Sequence, residues 1–159
     1  MSADAILVAN RFLDLARAEG VTLDTVKLQK LVLLAHGFCW GVAGKPLLSD
    51  RIEARNWGPI IPALHGMIKQ YGSGEVTAQQ LEGATGSLEE PEGSAVIHAV
   101  WANFGHNSGQ ELAAVVTAKG SPWDLAHKEG CTVISEERIR NYYHRLVTES
   151  GSGPADVEL

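Results

Sequence analysis

The sequence predicts a mainly α-helical, compact single domain of six to seven helices around one buried central helix (24–43), with a small antiparallel β element. Three observations predict this fold. Apolar residues recur at helical spacing along most of the chain, the segment 24–43 is apolar on almost every side, and capping residues precede several helical segments. The chain has 159 residues, 45% hydrophobic and 20% charged, which suffices for one well-buried core.

The first helix is predicted over residues 3–19, and Gly20 ends it. Its apolar face carries Ala5, Val8, Ala9, Phe12, Leu15 and Ala16. Its polar face carries Arg11, Asp14 and Arg17. Thr22 or Asp24 is expected to cap the second helix, because short polar side chains accept hydrogen bonds from the first helical N–H groups.

The second helix is predicted to lie at the centre of the domain. Its strongest apolar stripe comprises Leu28, Leu31, Val32, Ala35, Phe38, Cys39 and Val42. Only Lys27 and Lys30 are expected to need water. Gly37 and Gly41 each cost about 0.5–1 kcal/mol relative to alanine inside a helix. They therefore predict that a neighbouring helix approaches closely at this face.

A short strand is predicted at 52–57, with a second β segment at 75–78. Between them, Pro59 and Pro62 fit the first turn of a third helix of about 60–71. Residues 73–93 contain four glycines, five glutamates and no basic residue. They are predicted to form a mobile acidic loop within the domain.

The remaining helices are predicted from caps and stripes. The stripe of the fourth helix consists of Val96, Ile97, Val100, Trp101 and Phe104. Ser108 and Glu111 form a capping box for the fifth helix, and the sixth helix begins at Ser121 and Pro122. The last helix begins at Ser135, and its inward-facing residues are Ile139, Tyr142, Tyr143, Leu146 and Val147. The domain is thus predicted to span 1–147, followed by a disordered tail at 148–159.

Charge and cysteine content restrict the possible functions. The formal net charge is −6, which argues against nucleic acid as a partner. The acidity lies in the second half, where residues 73–159 carry 13 acidic and 5 basic side chains. Two cysteines are too few for a disulfide framework, and Cys39 is expected to be a buried thiol. No apolar run approaches the ~20 residues of a membrane span, so a cytoplasmic protein without a membrane partner is expected.

No catalytic, metal-binding or cofactor-binding set is predicted. The six histidines lack metal-ligand spacing with cysteines or carboxylates. The sequence around Ser108 does not match a nucleophile motif, and a helix cap explains this serine. His36 and His65 could face each other across packed helices, which leaves a small hydrolase as a minor alternative.

The tryptophans indicate a function more clearly than the histidines do. Trp101 fits a core stripe, whereas Trp40, Trp57 and Trp123 lie where they could anchor a partner. Tryptophan combines a large contact area with a hydrogen-bond donor and is enriched in interface hot spots. These three residues are therefore candidate binding residues.

Several of these segments together resemble the Panacea domain, the SocA-type antitoxin family, over roughly residues 5–147. The resemblance lies in KLQKL at 27–31, LAHG at 34–37, GKPL at 44–47, IEA at 52–54, WGPIIP at 57–62, VW at 100–101, FG at 104–105, Ser108 with Glu111 and Leu112, SPW at 121–123, and Ile139 with Tyr142 and Tyr143. The chain departs from the family in having RNWGP at 55–59 where Trp-Lys-Tyr-Gly-Pro is common. It also has Thr117-Ala118 where Thr-His is common.

The resemblance implies a non-enzymatic antitoxin that neutralises a cognate bacterial toxin by direct binding. In one branch of the family it also implies an adaptor that delivers the toxin to the ClpXP protease. The toxin-binding residues that we predict are Trp40, Arg55, Trp57, Gly58, Pro59 and Trp123. An alternative is a transcriptional regulator of its own operon, against which the charge argues.

Overall fold

The computed structural model of the chain describes residues 3–150. The helices are α1 (Ala5–Ala18), α2 (Thr25–Ala43), α3 (Pro62–Ile68), α4 (Glu92–Phe104), α5 (Gly109–Val116), α6 (Pro122–Lys128) and α7 (Glu136–Ser150), with a 3₁₀ turn at Lys69–Tyr71 after α3. The strands are β1 (Ile52–Arg55), β2 (Gly58–Ile60) and β3 (Val133–Ile134). The predicted mainly α fold with a small antiparallel sheet is confirmed. No helix in these 148 residues is long and apolar enough to cross a membrane.

Helix α2 is the centre of the domain, as predicted. The Asp24 carboxylate caps it by accepting the Lys27 N–H at 2.7 Å, and Gly44 ends it in the left-handed conformation. Helices α1, α4, α5 and α7 all pack against it. Val42, predicted to be part of the apolar stripe, is instead 47% exposed.

Gly37 and Gly41 permit the close approach that their positions predict, and the approaching helix is α7. A Cβ atom on Gly37 would overlap the ring of Tyr143. A Cβ atom on Gly41 would lie 2.7 Å from a methyl group of Val147 and 2.8 Å from the Tyr143 carbonyl oxygen. The last helix therefore packs directly on the backbone of the central one.

The sheet has the strand order β2-β1-β3, and both pairings are antiparallel. The predicted β segment at 75–78 is wrong, since there only Glu75 forms an isolated bridge, to Asp24. The strand predicted at 52–57 ends at Arg55, because the chain turns there and returns as β2. Helix α3 consequently begins at Pro62, two residues later than predicted.

The segment between the 3₁₀ turn and α4 contains no helix or named strand but has fixed points of contact. Val76 and Leu81 are buried in the core. The Asn10 side chain accepts the Leu81 N–H at 2.7 Å and donates to the Leu81 carbonyl oxygen at 2.9 Å. The mobility expected for 73–93 stays a prediction.

Cys39 is buried as predicted, and burial raises the pKa of its thiol to about 11.

The C-terminal boundary differs from the prediction. Helix α7 continues through Ser150, past the predicted domain end at 147 and into the predicted tail. The rest of that tail, 151–159, lies outside the described residues.

Candidate partner-binding site

The β1–β2 hairpin presents Trp57 to solvent. Trp57 is 66% exposed, more than any other large hydrophobic residue among residues 3–149. The turn depends on Gly58, whose φ of +141° disfavours a side chain. A Cβ atom there would also lie 3.2 Å from a methyl group of Thr117. The glycine therefore lets the hairpin pack against the end of α5 while Trp57 projects outward.

A second tryptophan, Trp123, contacts the hairpin and stabilises it. The indole N–H of Trp123 donates to the Arg55 carbonyl oxygen at 2.7 Å, and its ring stacks on His127 with centroids 4.9 Å apart. Arg55 and Arg51 both donate to the Glu53 carboxylate, and these hydrogen bonds lower the pKa of that group. Trp123 is partly buried and supports the hairpin, whereas Trp57 is exposed.

A mainly apolar groove of about 310 Å³ lies beside Trp57, between the start of α2, α3 and α5. We call it the Trp57 groove. Its lining includes Val26, Lys30, Trp57, Ile60, Ile68 and Lys69. Val26 is 41% exposed, so the groove offers a second apolar contact next to Trp57.

Lys30 is buried in the groove and not solvated, contrary to the sequence prediction. It is 7% exposed, and its ammonium donates to the Pro59 carbonyl oxygen at 3.1 Å. Burial lowers the pKa of Lys30 to about 8. Lys27 is buried as well, with its ammonium 5.9 Å from the centre of the Trp101 ring, and burial lowers its pKa too. The prediction failed because the covering residues come from distant parts of the chain.

We expect Lys30→Met to stabilise the fold at neutral pH. Folding lowers the pKa of Lys30 from 10.5 to about 8, so the unfolded chain binds more protons between these pH values. The penalty for burying the cation is complete below pH 8 and disappears as the pH rises towards 10.5. Urea unfolding should give the variant a free energy of unfolding about 1–3 kcal/mol higher at pH 7. The difference should shrink by pH 10, and lower stability at pH 7 would contradict this prediction.

Trp40 lies apart from the hairpin, against the start of α7. Its indole N–H donates to Glu136 Oε1 at 3.0 Å, and the same oxygen accepts the Nε2–H of His36 at 2.8 Å. His36 Nδ1 accepts the backbone N–H groups of Leu47 and Leu48, which assigns the ring proton to Nε2. This network joins α2 to α7.

The two histidines considered for catalysis have different environments. His36 is fully buried with both ring nitrogens engaged, whereas His65 is exposed on α3. In the described part of the chain, no group of three His, Cys, Asp or Glu side chains could hold a metal ion.

The structure brings five of the six predicted binding residues together. Arg55, Trp57, Gly58 and Pro59 form the hairpin, and Trp123 contacts it; Trp40 does not belong to this group. Sequence reasoning missed Val26 and Lys30. Their only signal is the four-residue spacing that places both on one face of α2.

Comparison with known proteins identifies the family. The family model described as antitoxin SocA-like, Panacea domain, matches residues 28–124, which is more than half of the chain. This chain is a Panacea-domain protein of the antitoxin SocA-like family. It is similar to Antitoxin SocA of Caulobacter vibrioides (strain NA1000 / CB15N), with 31% identity over 132 residues that cover 78% of this chain and 70% of the relative. No solved structure matches.

The matched region of the Panacea-domain protein contains most of the candidate site. Residues 28–124 include Lys30, the whole hairpin and Trp123. Helices α1 and α7 lie outside the match, although α7 packs closely on α2. The family match therefore covers the groove, except for the first turn of α2.

Proposed function

We propose that this protein is an antitoxin that neutralises a cognate toxin by direct contact through the hairpin and the Trp57 groove. The observation that carries the proposal is the exposure of Trp57 beside a mainly apolar groove. Exposed apolar surface of this kind marks interaction sites, and tryptophan is enriched among hot spots. Membership of the SocA-like family supports the antitoxin role.

The supports of the hairpin favour tight binding. Trp123, Gly58 and the Glu53 ion pairs hold the turn in one arrangement before a partner arrives. A preorganised anchor loses less conformational entropy on binding than a mobile one. We expect the complex to bury about 1,200–2,000 Å² of surface, the usual range for stable protein pairs.

Trp57→Ala tests the proposal directly. We expect the substitution to raise the Kd for the toxin by about 30-fold or more and to abolish rescue of growth on co-expression. The free energy of unfolding should change by no more than about 0.5 kcal/mol, since the side chain is mostly exposed. Full rescue by the variant would remove Trp57 from the interface.

Two valines on α2 provide a matched control for that experiment. Val26 lines the groove, whereas Val42 lies at the other end of the same helix, and both are exposed. Val26→Asp should weaken toxin binding, and Val42→Asp should leave it unchanged. Equal effects of the two substitutions would contradict a site at the groove.

We further propose that the protein delivers its bound toxin to the ClpXP protease. Residues 151–159 follow α7 directly and would serve as a second contact, because a linked second site raises effective concentration. Truncation after Ser150 should preserve toxin binding and slow toxin degradation by purified ClpXP severalfold. Unchanged degradation would exclude the tail from this step.

A further inference from the structure

The charges in the Trp57 groove are opposite in sign to the charge of the chain. The residues that line the groove include the cations Lys30 and Lys69 but no carboxylate. The chain as a whole has a formal charge of −6. A locally cationic, otherwise apolar groove on an acidic protein is complementary to an apolar segment with a negative group.

Lys30 is the part of the groove that most needs an anionic partner. Its ammonium has three N–H donors, and the only hydrogen bond that it makes within residues 3–150 is to the Pro59 carbonyl oxygen. No carboxylate of that region lies within 4.0 Å of it, whereas the more exposed Lys45 and Lys128 each pair with a carboxylate. A buried cation without a counter-ion destabilises the fold that holds it.

A second feature is that the turn beside Trp57 lies next to this ammonium. A Cβ atom at Gly58 would be in ordinary contact with the Lys30 Nζ atom, at 3.7 Å. Pro59 at the next position provides the accepting carbonyl. The turn that projects Trp57 thus also sets the position of the ammonium.

We propose that the Trp57 groove receives an apolar segment of the toxin and that a carboxylate of this segment pairs with Lys30. The inference rests on the proposed function, since it specifies what the toxin places in the site. Trp57 and Val26 would contact the apolar side chains of the segment, and Lys30 would accept its negative group. One buried cation between apolar walls suits a peptide carboxylate better than the repeated phosphates of a nucleic acid.

The test uses the product of the adjacent gene as the candidate toxin and compares the binding of Lys30→Met and of Lys119→Met to it by calorimetric titration. Lys119 is exposed and does not line the groove, so it controls for the loss of one positive charge. We expect Lys30→Met to raise the Kd about 30-fold or more and Lys119→Met to change it less than about threefold. Lys30→Met should also reduce the salt dependence of binding.

A carbodiimide cross-link provides the second readout, because this reagent joins an amine to a carboxylate only in direct contact. Mass spectrometry of the treated wild-type complex should show Lys30 joined to an aspartate, a glutamate or the C-terminal carboxylate of the toxin. Tight binding by wild type with an unchanged Kd for Lys30→Met would overturn the carboxylate inference and leave the proposed function standing. Failure of the wild type to bind the toxin would overturn both.

Discussion

Gly37→Ala is expected to destabilise the protein by about 3 kcal/mol, even though alanine is the better helix former. The added methyl group would overlap the ring of Tyr143. That ring cannot move aside easily, because it is buried and packs edge-on against Phe38 with centroids 5.1 Å apart. Helix α7 would have to move away from α2. Thermal and urea unfolding of the purified variant would measure the loss.

Gly66→Ala is the matched control for this substitution. Gly66 also lies within a helix, α3, but a Cβ atom there would meet nothing within 4 Å. Alanine should stabilise this position by about 0.5–1 kcal/mol through its helix propensity. If the two variants were equally stable, the close contact between α2 and α7 would not exist in solution.

Gln29→Leu is expected to cost about 2–3 kcal/mol and to disturb the groove as well. The Gln29 amide accepts the Ile61 N–H and donates to the Ile61 carbonyl oxygen, both at 3.2 Å. The carbonyl keeps a second partner, the N–H of His65, but the buried Ile61 N–H would have none. Because Ile61 precedes α3, its displacement would change one wall of the Trp57 groove. Urea unfolding and toxin titration would report the two effects separately.

Gln80→Leu controls for the removal of a glutamine amide. Gln80 is exposed, and its amide donates to Asp14 and to the Gln79 carbonyl oxygen at the surface. Water can replace these bonds, so the free energy of unfolding should change by no more than about 0.5 kcal/mol. A comparable loss in both variants would show that burial of the Gln29 amide is not the cause.

Most of the helices could be predicted because their signals are local. The Ser108 and Glu111 capping box and the Ser121 cap are present as their spacing indicates. Gly37 and Gly41 correctly predicted a close helix approach, although their positions did not reveal that the partner is α7. A cap or a stripe depends on residues a few positions apart, so short windows of sequence contain it.

The features that sequence reasoning missed depend on residues far apart in the chain. Strand β3 has two residues and exists only because β1 offers it a partner about 80 positions earlier. The burial of Lys30 depends on Pro59, and the hydrogen bond of Trp123 depends on Arg55. No periodic pattern records such pairs, which is why the buried cation beside Trp57 was missed, and the binding role of the exposed Trp57 stays a prediction.

The packing of α7 on α2 has a consequence for biosynthesis. The central helix is translated early, whereas the helix that covers Gly37 and Gly41 is translated last of those described. A nascent or C-terminally truncated chain that lacks α7 exposes the apolar face of α2, where Phe38 would otherwise meet Tyr143. Completion of the last helix therefore covers this face, and we expect a chain that ends before α7 to be cleaved by proteases faster than the full chain.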